Sequence, residues 1–282
     1  MNWPRPPGNE VDVPMTLRGA RKDRLHILEF LRVVAPGFRA ELIDNARRKD
    51  IRDRIEKLVD SCVSHLVAYF QGHGQEIGNH NNEDYSVRCT FIFVSIEAPL
   101  TQAPDITGDP NGDGQLESFT AEELIEMFSA FSARATLVAI TDFCHSGNVY
   151  RMQFRLRVLN DGTGLWQETR EWNDDSKLGQ KNKIKAPMIH IAGSLRRQQV
   201  YETDKRGGYF TNSLAHLKDV SVTLPRFLLN LRELVNVHLT DAKAHATNPL
   251  DACAAQIPQI FSNRMWPLDD PGMLSRICLG TI

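Results

Sequence analysis

Two short stretches carry the residue types that acyl transfer by a thiol requires. Cys144 sits beside His145 in "ITDFCHSG" (140–147), where an apolar, β-branched run ends in small and polar residues. His73 sits in "FQGHGQ", directly after the apolar run "HLVAYF" (65–70). Both runs read as buried strands, and each delivers a candidate catalytic side chain at its end. In a parallel sheet two such ends lie on one edge, so residues far apart in sequence come within hydrogen-bonding reach. A thiol that attacks a carbonyl needs a base that favours the thiolate, and His73 can serve Cys144 in that way. Gly72, Gly74 and Gly147 remove side chains where a peptide backbone must approach, and leave N–H groups to hold a developing oxyanion. Taken singly, a cysteine at a strand end packs as a small hydrophobe and a loop histidine is polar surface. It is the pairing of two strand-terminal motifs that favours chemistry.

The segments around these motifs are the elements that must position them. Residues 1–16 are rich in proline and charge and read as an irregular lead-in. Helix-period spacing from about Asp23 puts Leu25, Leu28, Leu31 and Val34 on one face, and "APG" at 35–37 stops the run. Ile51, Ile55, Leu58 and Val59 form the apolar stripe of a second helix. "HLVAYF" is a strand cut off by a "GHG" loop, and "VRCTFIFVS" (87–95) is another strand. After a loop rich in Asp, Pro and Gly (99–119), Thr120 and Glu123 make a capping-box pattern ahead of Leu124, Ile125, Phe128 and Phe131. Residues 148–185 are polar and mixed in charge, and read as an exposed connection. "PMIHIAGS" resumes a strand, "GGYFTNSLAHL" is a turn into a helix, and "PRFLLNLRELVNVHL" is another helix. This order predicts an α/β fold with a mostly parallel sheet, helices on both faces and a binding crevice at the carboxyl ends of the strands.

Composition bounds the function. The 282 residues carry a formal net charge of −2, which gives no global attraction to polyanions, so nucleic acid is not expected as a partner. No apolar stretch is long enough to span a membrane and the N-terminus lacks a signal-peptide core, so a cytoplasmic protein without a membrane partner is expected. The five cysteines (62, 89, 144, 253, 278) are scattered without C-x-x-C spacing, which predicts free thiols rather than a disulfide framework or a zinc site.

The two motifs resemble those of metacaspases and related caspase-like cysteine peptidases. "YFQGHG" is similar to the family's Y-[FS]-S-G-H-G, and "TLVAITDFCHSG" to its D-x-C-H-S-G. "LRGARKDRLHILEFL" resembles the L-R-G-C-x-x-D-A helix start, "MIHIAGSLRRQQVYET" with "GGYFTNSLAHL" the small-subunit strand and G-G-x-F-T helix, and "QIPQIFSNR" the P-Q-x-S segment. The likeness runs in consistent order from about residue 16 to 280. It implies a caspase-like peptidase domain over 17–282, with a large-subunit part 17–147, a linker 148–185 and a small-subunit part 186–282. It also implies a thiol protease acting on polypeptides, in a family associated with programmed cell death. Carried over by position, Cys144 is the nucleophile and His73 the general acid/base, and the backbone amides of Gly74 and Cys144 form the oxyanion hole. His145 and Ser146 are scaffold. Asp23 and Asp142 match the acidic residues of the primary specificity pocket, whose wall includes Gln71, and two carboxylates there favour Arg or Lys before the scissile bond. No redox or nucleotide cofactor is implied; calcium activation is, since metacaspases are often calcium-dependent.

The sequence also departs from the family. Gln71 stands where the family has Ser and Ala20 where it has Cys, and Arg196 and Arg197 stand where acidic residues are common. "MNWPRPPGNEVDVP" cannot supply the apolar strand with which the family begins its sheet, so the first strand is expected to be missing. "DPNGDGQLESFT" (109–120) places Asp109, Asn111, Asp113 and Gly114 at EF-hand positions, but Thr120 stands where a bidentate Glu is needed, and a solvated turn fits better. No metal ligand is therefore assigned. Lys177, Lys181, Lys183 and Lys185 are the candidate self-cleavage sites, a passive loop being the other reading. The alternative to an active endopeptidase is a catalytically inactive caspase-like interaction or regulatory module, and a hydrolase of another acyl substrate stands behind both. The oligomeric state is not legible.

Overall fold

The computed structural model describes residues 17, 19–43, 48–79, 82–95, 119–169, 184–245 and 255–282; for 73, 75–79 and 82–95 it is the backbone course that is described. The chain runs α1 (Ala20–Val34), β1 (Arg39–Ile43), α2 (Arg48–Asp60), β2 (His65–Asn79), β3 (Asn82–Ser95), β4 (Phe119–Thr120), α3 (Ala121–Ser129) and β5 (Thr136–Asp142). It continues through β6 (Phe154–Val158), β7 (Gly164–Glu168), β8 (Met188–Ala192), β9 (Glu202–Thr203), β10 (Gly207–Gly208), α4 (Tyr209–Ala215), α5 (Leu224–Ala244), β11 (Gln259–Ser262) and α6 (Met273–Leu279).

One sheet organises the described residues, in the order β1-β3-β2-β5-β8-β11-β6-β7 with β4 on β3. Its centre, β2-β5-β8, is parallel: the path from β2 to β5 passes through α3, and the path from β5 to β8 contains the β6–β7 hairpin. Hairpins and short returns add antiparallel strands on both flanks. Alternate residues of the central strands feed two cores. Val67, Tyr69, Val138, Ile140, Ile189 and Ile191 face α1, α4, α5 and α6, while Leu66, Ala68, Phe70, Leu137 and Ala139 face α2 and α3. The α/β class and the helices on both faces are thus as the sequence predicts.

Four sequence readings change. The buried stripe of α1 is Asp23, Ile27, Phe30, Leu31 and Val34, and Leu25 is 63% exposed. The helix is therefore rotated from the predicted face, and Asp23 points into the protein. "GHG" does not end a strand, because β3 pairs with β2 from Leu66↔Ser95 to Asn79↔Asn82 and keeps its backbone bonded beyond the parallel partner. The first part of 148–185 is not an exposed connection: it forms the β6–β7 hairpin, whose Leu156 is fully buried. β1, in "RAELI", was not foreseen.

Residues 1–16, in which the first strand is expected to be missing, the EF-hand-like positions 109–118, and Lys177, Lys181 and Lys183 lie outside the described residues. The flank of β2 away from β5 is taken by β3. α3 begins as predicted, with Thr120 Oγ1 accepting from the Glu123 N–H at 3.2 Å and Glu123 Oε2 accepting from the Thr120 N–H at 2.9 Å.

Candidate active site

β2 and β5 stay in parallel register up to the pair Gln71↔Asp142, and His73 and Cys144 each lie two residues further on. The two chains remain in contact beyond that pair. A Cβ built on Gly74 would lie 1.7 Å from the Cys144 carbonyl oxygen, so the α-carbon of Gly74 rests on that carbonyl. The backbone at His73 and the Cys144 residue therefore share one sheet edge; the His73 imidazole lies outside the described atoms.

Cys144 is half-buried, and its Sγ accepts from the Val200 N–H at 3.4 Å. Burial raises its thiol above the usual range, the Val200 N–H opposes this in part, and the Asp142 charge adds to it. A thiol held that way keeps its proton at neutral pH unless a base removes it.

The next residues form the turn that presents the sulfur. His145 has φ 63°, in the left-handed region; its N–H donates to the Gln198 carbonyl at 2.8 Å. The ring Nδ1 lies 2.9 Å from the Arg196 carbonyl, which can only accept, so Nδ1 carries the proton. Ser146 is buried against Ser194, with the hydroxyl oxygens 3.2 Å apart. Both residues hold the loop, as the resemblance implies. Gly147 differs from expectation: a Cβ there would meet the Arg196 nitrogen at 2.4 Å, so its free space is taken by the protein's own 195–196 backbone rather than left for a substrate.

The predicted acidic pair comes together beneath the same edge. Asp23 and Asp142 are 0% and 3% exposed. Gln71 Nε2 donates to Asp23 Oδ2, and the Gly208 N–H donates to Asp23 Oδ1 at 2.7 Å. The Thr211 hydroxyl donates to Asp142 Oδ2 at 2.6 Å, which leaves the Tyr69 hydroxyl to donate to Thr211 Oγ1 at 2.8 Å. Asp142 Oδ1 is buried without a partner. Burial, and next the nearby Asp23 carboxylate, pushes Asp142 up to about 8. Gly208 covers the pair, since a Cβ on it would lie 2.6 Å from Asp142 Oδ2 and 3.3 Å from Asp23 Oδ2. Glu202 on β9 belongs to the same surroundings: it adds to the upward push on Asp142 and accepts from the Gly19 N–H at 3.3 Å.

Sequence reasoning missed Tyr69, Val200, Glu202, Gly208 and Thr211. Val200 and Glu202 lie in "VYET", Gly208 and Thr211 in "GGYFTNS", and Tyr69 in "YFQGHG", stretches that carry the family likeness but no role for these residues. Among the described residues, no group of three or more His, Cys, Asp or Glu could hold a metal ion, and no helix is long and apolar enough to cross a membrane.

The caspase-domain family, Peptidase C14, matches residues 8–266, and the chain belongs to that family of caspase-like cysteine peptidases. Polypeptide substrates follow from that membership. Among solved structures, protein GSU0716 from Geobacter sulfurreducens is similar at 16% identity over 81% of this chain and 78% of that one, with a TM-score of 0.41. No curated protein matches the chain.

Proposed function

We propose that the chain is a cysteine endopeptidase of the metacaspase type that cleaves after Arg or Lys with a Cys144–His73 dyad. The observation that carries this reading is the contact of Gly74 with the Cys144 carbonyl, which brings the two motif-bearing strands to one point. In the proposed cycle His73 takes the thiol proton and Cys144 attacks the peptide carbonyl. The amides of Cys144 and Gly74 hold the oxyanion, and His73 returns the proton to the leaving amine. Water, activated by His73, then hydrolyses the acyl-enzyme. The raised thiol supports a need for such a base.

Basic specificity draws support from the Asp23–Asp142 pair and its unpartnered Oδ1, since a guanidinium or ammonium would supply the missing donor. Because both carboxylates are buried under Gly208, a substrate cation reaches them only when the β9–β10 ribbon moves. That covering favours the second reading, an inactive interaction or regulatory module, in which the pocket never opens.

The deciding assay is release of a reporter amine from peptides ending in Arg, Lys or Asp, with and without calcium, for wild type and Cys144→Ala. The proposal expects turnover after Arg and Lys that disappears in the variant. A folded protein inactive on every peptide would establish the inactive module, and cleavage only after Asp would overturn the basic preference. The same incubation tests self-cleavage at the exposed Lys185 and at the other linker lysines.

A further inference from the structure

Arg196 and Arg197, which stand where acidic residues are common in the family, line a cavity. It has a volume of about 490 Å³ and lies between the Cys144 loop at Gly147–Asn148 and the β6–β7 hairpin. Arg155, Gln167, Glu168 and Phe261 are among the other residues that line it. It shares no lining residue with the Asp23–Asp142 pocket. Phe261 belongs to the core on the α2 and α3 side of the sheet, whereas Tyr69 belongs to the core on the other side.

We propose that this cavity binds a small organic molecule bearing phosphate or clustered carboxylate oxyanions. Its volume lies within the range of about 300–1,000 Å³ typical of small-molecule sites. Among the described residues that line it, the charged ones are Arg155, Arg196, Arg197 and Glu168, in a protein whose net charge is −2. Glu168 is already engaged, accepting from Gln153 Nε2 at 2.8 Å. Arg155, half-buried and opposite Gln167 across the hairpin, donates to Gln167 Oε1 at 3.0 Å, which fixes its fork without neutralising it. Burial first, and then the Arg155 charge, bring nearby Arg232 down to about 10. Guanidinium forks match carboxylate and phosphate oxygens in pairs, and Phe261 offers an apolar wall to the organic part.

The occupant would join the two loops that flank Cys144. Arg196 and Gln198 accept from the His145 ring and backbone, and Val200, in the same segment, donates to the sulfur. A ligand gripping Arg196 and Arg197 therefore holds residues 194–200 in place. This holds whether or not the protein cleaves peptides.

The test is calorimetric titration of the full chain with pyrophosphate and with citrate, against sodium chloride of matched ionic strength, with hydrogen exchange read across residues 147–149 and 194–200. The expected result is saturable binding that slows exchange in both segments and weakens at least about tenfold in Arg155→Gln/Arg197→Gln. Arg197 is exposed, so the single variant Arg197→Gln, expected to keep its fold, should weaken binding in the same direction. Tighter pyrophosphate binding assigns phosphate chemistry, and tighter citrate binding assigns carboxylate. No saturable heat with either anion up to about 10 mM, heat reproduced by chloride, or affinity unchanged in both variants would overturn the site.

Discussion

At Gly74 there is no room for a methyl group, and the obstacle is the Cys144 carbonyl at 1.7 Å, which is backbone. Gly74→Ala must push β2 away from the Cys144 turn. Overpacking of this kind costs about 1–3 kcal/mol, and a shift of about 1 Å in a reacting group costs about 10²-fold in rate. The variant is therefore expected to unfold at lower urea and to lose about 10²-fold in kcat/KM on the preferred basic peptide. Wild-type turnover and stability in Gly74→Ala would mean that the two strand ends are not in contact. The glycine was legible in the sequence; its reason was not, because a glycine beside a catalytic residue reads as space for substrate until the neighbouring carbonyl is seen. Asp142 shows the same limit. Its position in the motif was legible, but its buried, half-satisfied state depends on Thr211 and Gly208, far away in the chain.

Among the elements, the parallel strands β2, β5 and β8 were readable because strands buried on both faces are continuous apolar runs. α3 was readable from its capping box and α5 from its period. The β6–β7 hairpin was hidden by polarity. In "FRLRV" only Leu156 is buried while Arg157 is exposed, so a strand with charged neighbours resembled a solvated linker. "NDGTG", taken as part of that linker, carries its turn, with Gly162 at φ 82°. The face of α1 was misassigned for a related reason: its stripe contains Asp23, and a pattern that counts only apolar residues leaves a buried carboxyl out. Leu156→Ala tests whether the hairpin belongs to the core. A fully buried leucine truncated to alanine costs about 2–5 kcal/mol, whereas an exposed connection would tolerate the change within about 0.5 kcal/mol. Urea unfolding followed by tryptophan fluorescence separates the two, and a midpoint equal to wild type would remove β6 from the core.

Two cores lie on opposite faces of one sheet, and the candidate site lies where its central parallel strands end, so a charge buried there bears on the stability of the molecule as a whole. Asp142 is such a charge in its ionised form. Its carboxyl is pushed up to about 8 in the fold, against an unfolded value of 3.8, so folding takes up a proton between those values. The contribution is fully present below about pH 4 and is lost as pH rises through about 8, because the folded protein must then carry the ionised carboxylate beside Asp23 or release it to water by unfolding. Asp142→Asn removes the titration while keeping the size of the side chain. Wild-type urea midpoints should therefore fall between about pH 5 and pH 9 relative to those of Asp142→Asn, by an amount on the order of a few kcal/mol in unfolding free energy. A basic substrate analogue should reverse part of that loss, since a guanidinium beside Oδ1 gives the ionised form a partner. Parallel pH profiles for the two proteins would show that Asp142 is already ionised at neutral pH, and the pocket would then be charged before any substrate arrives.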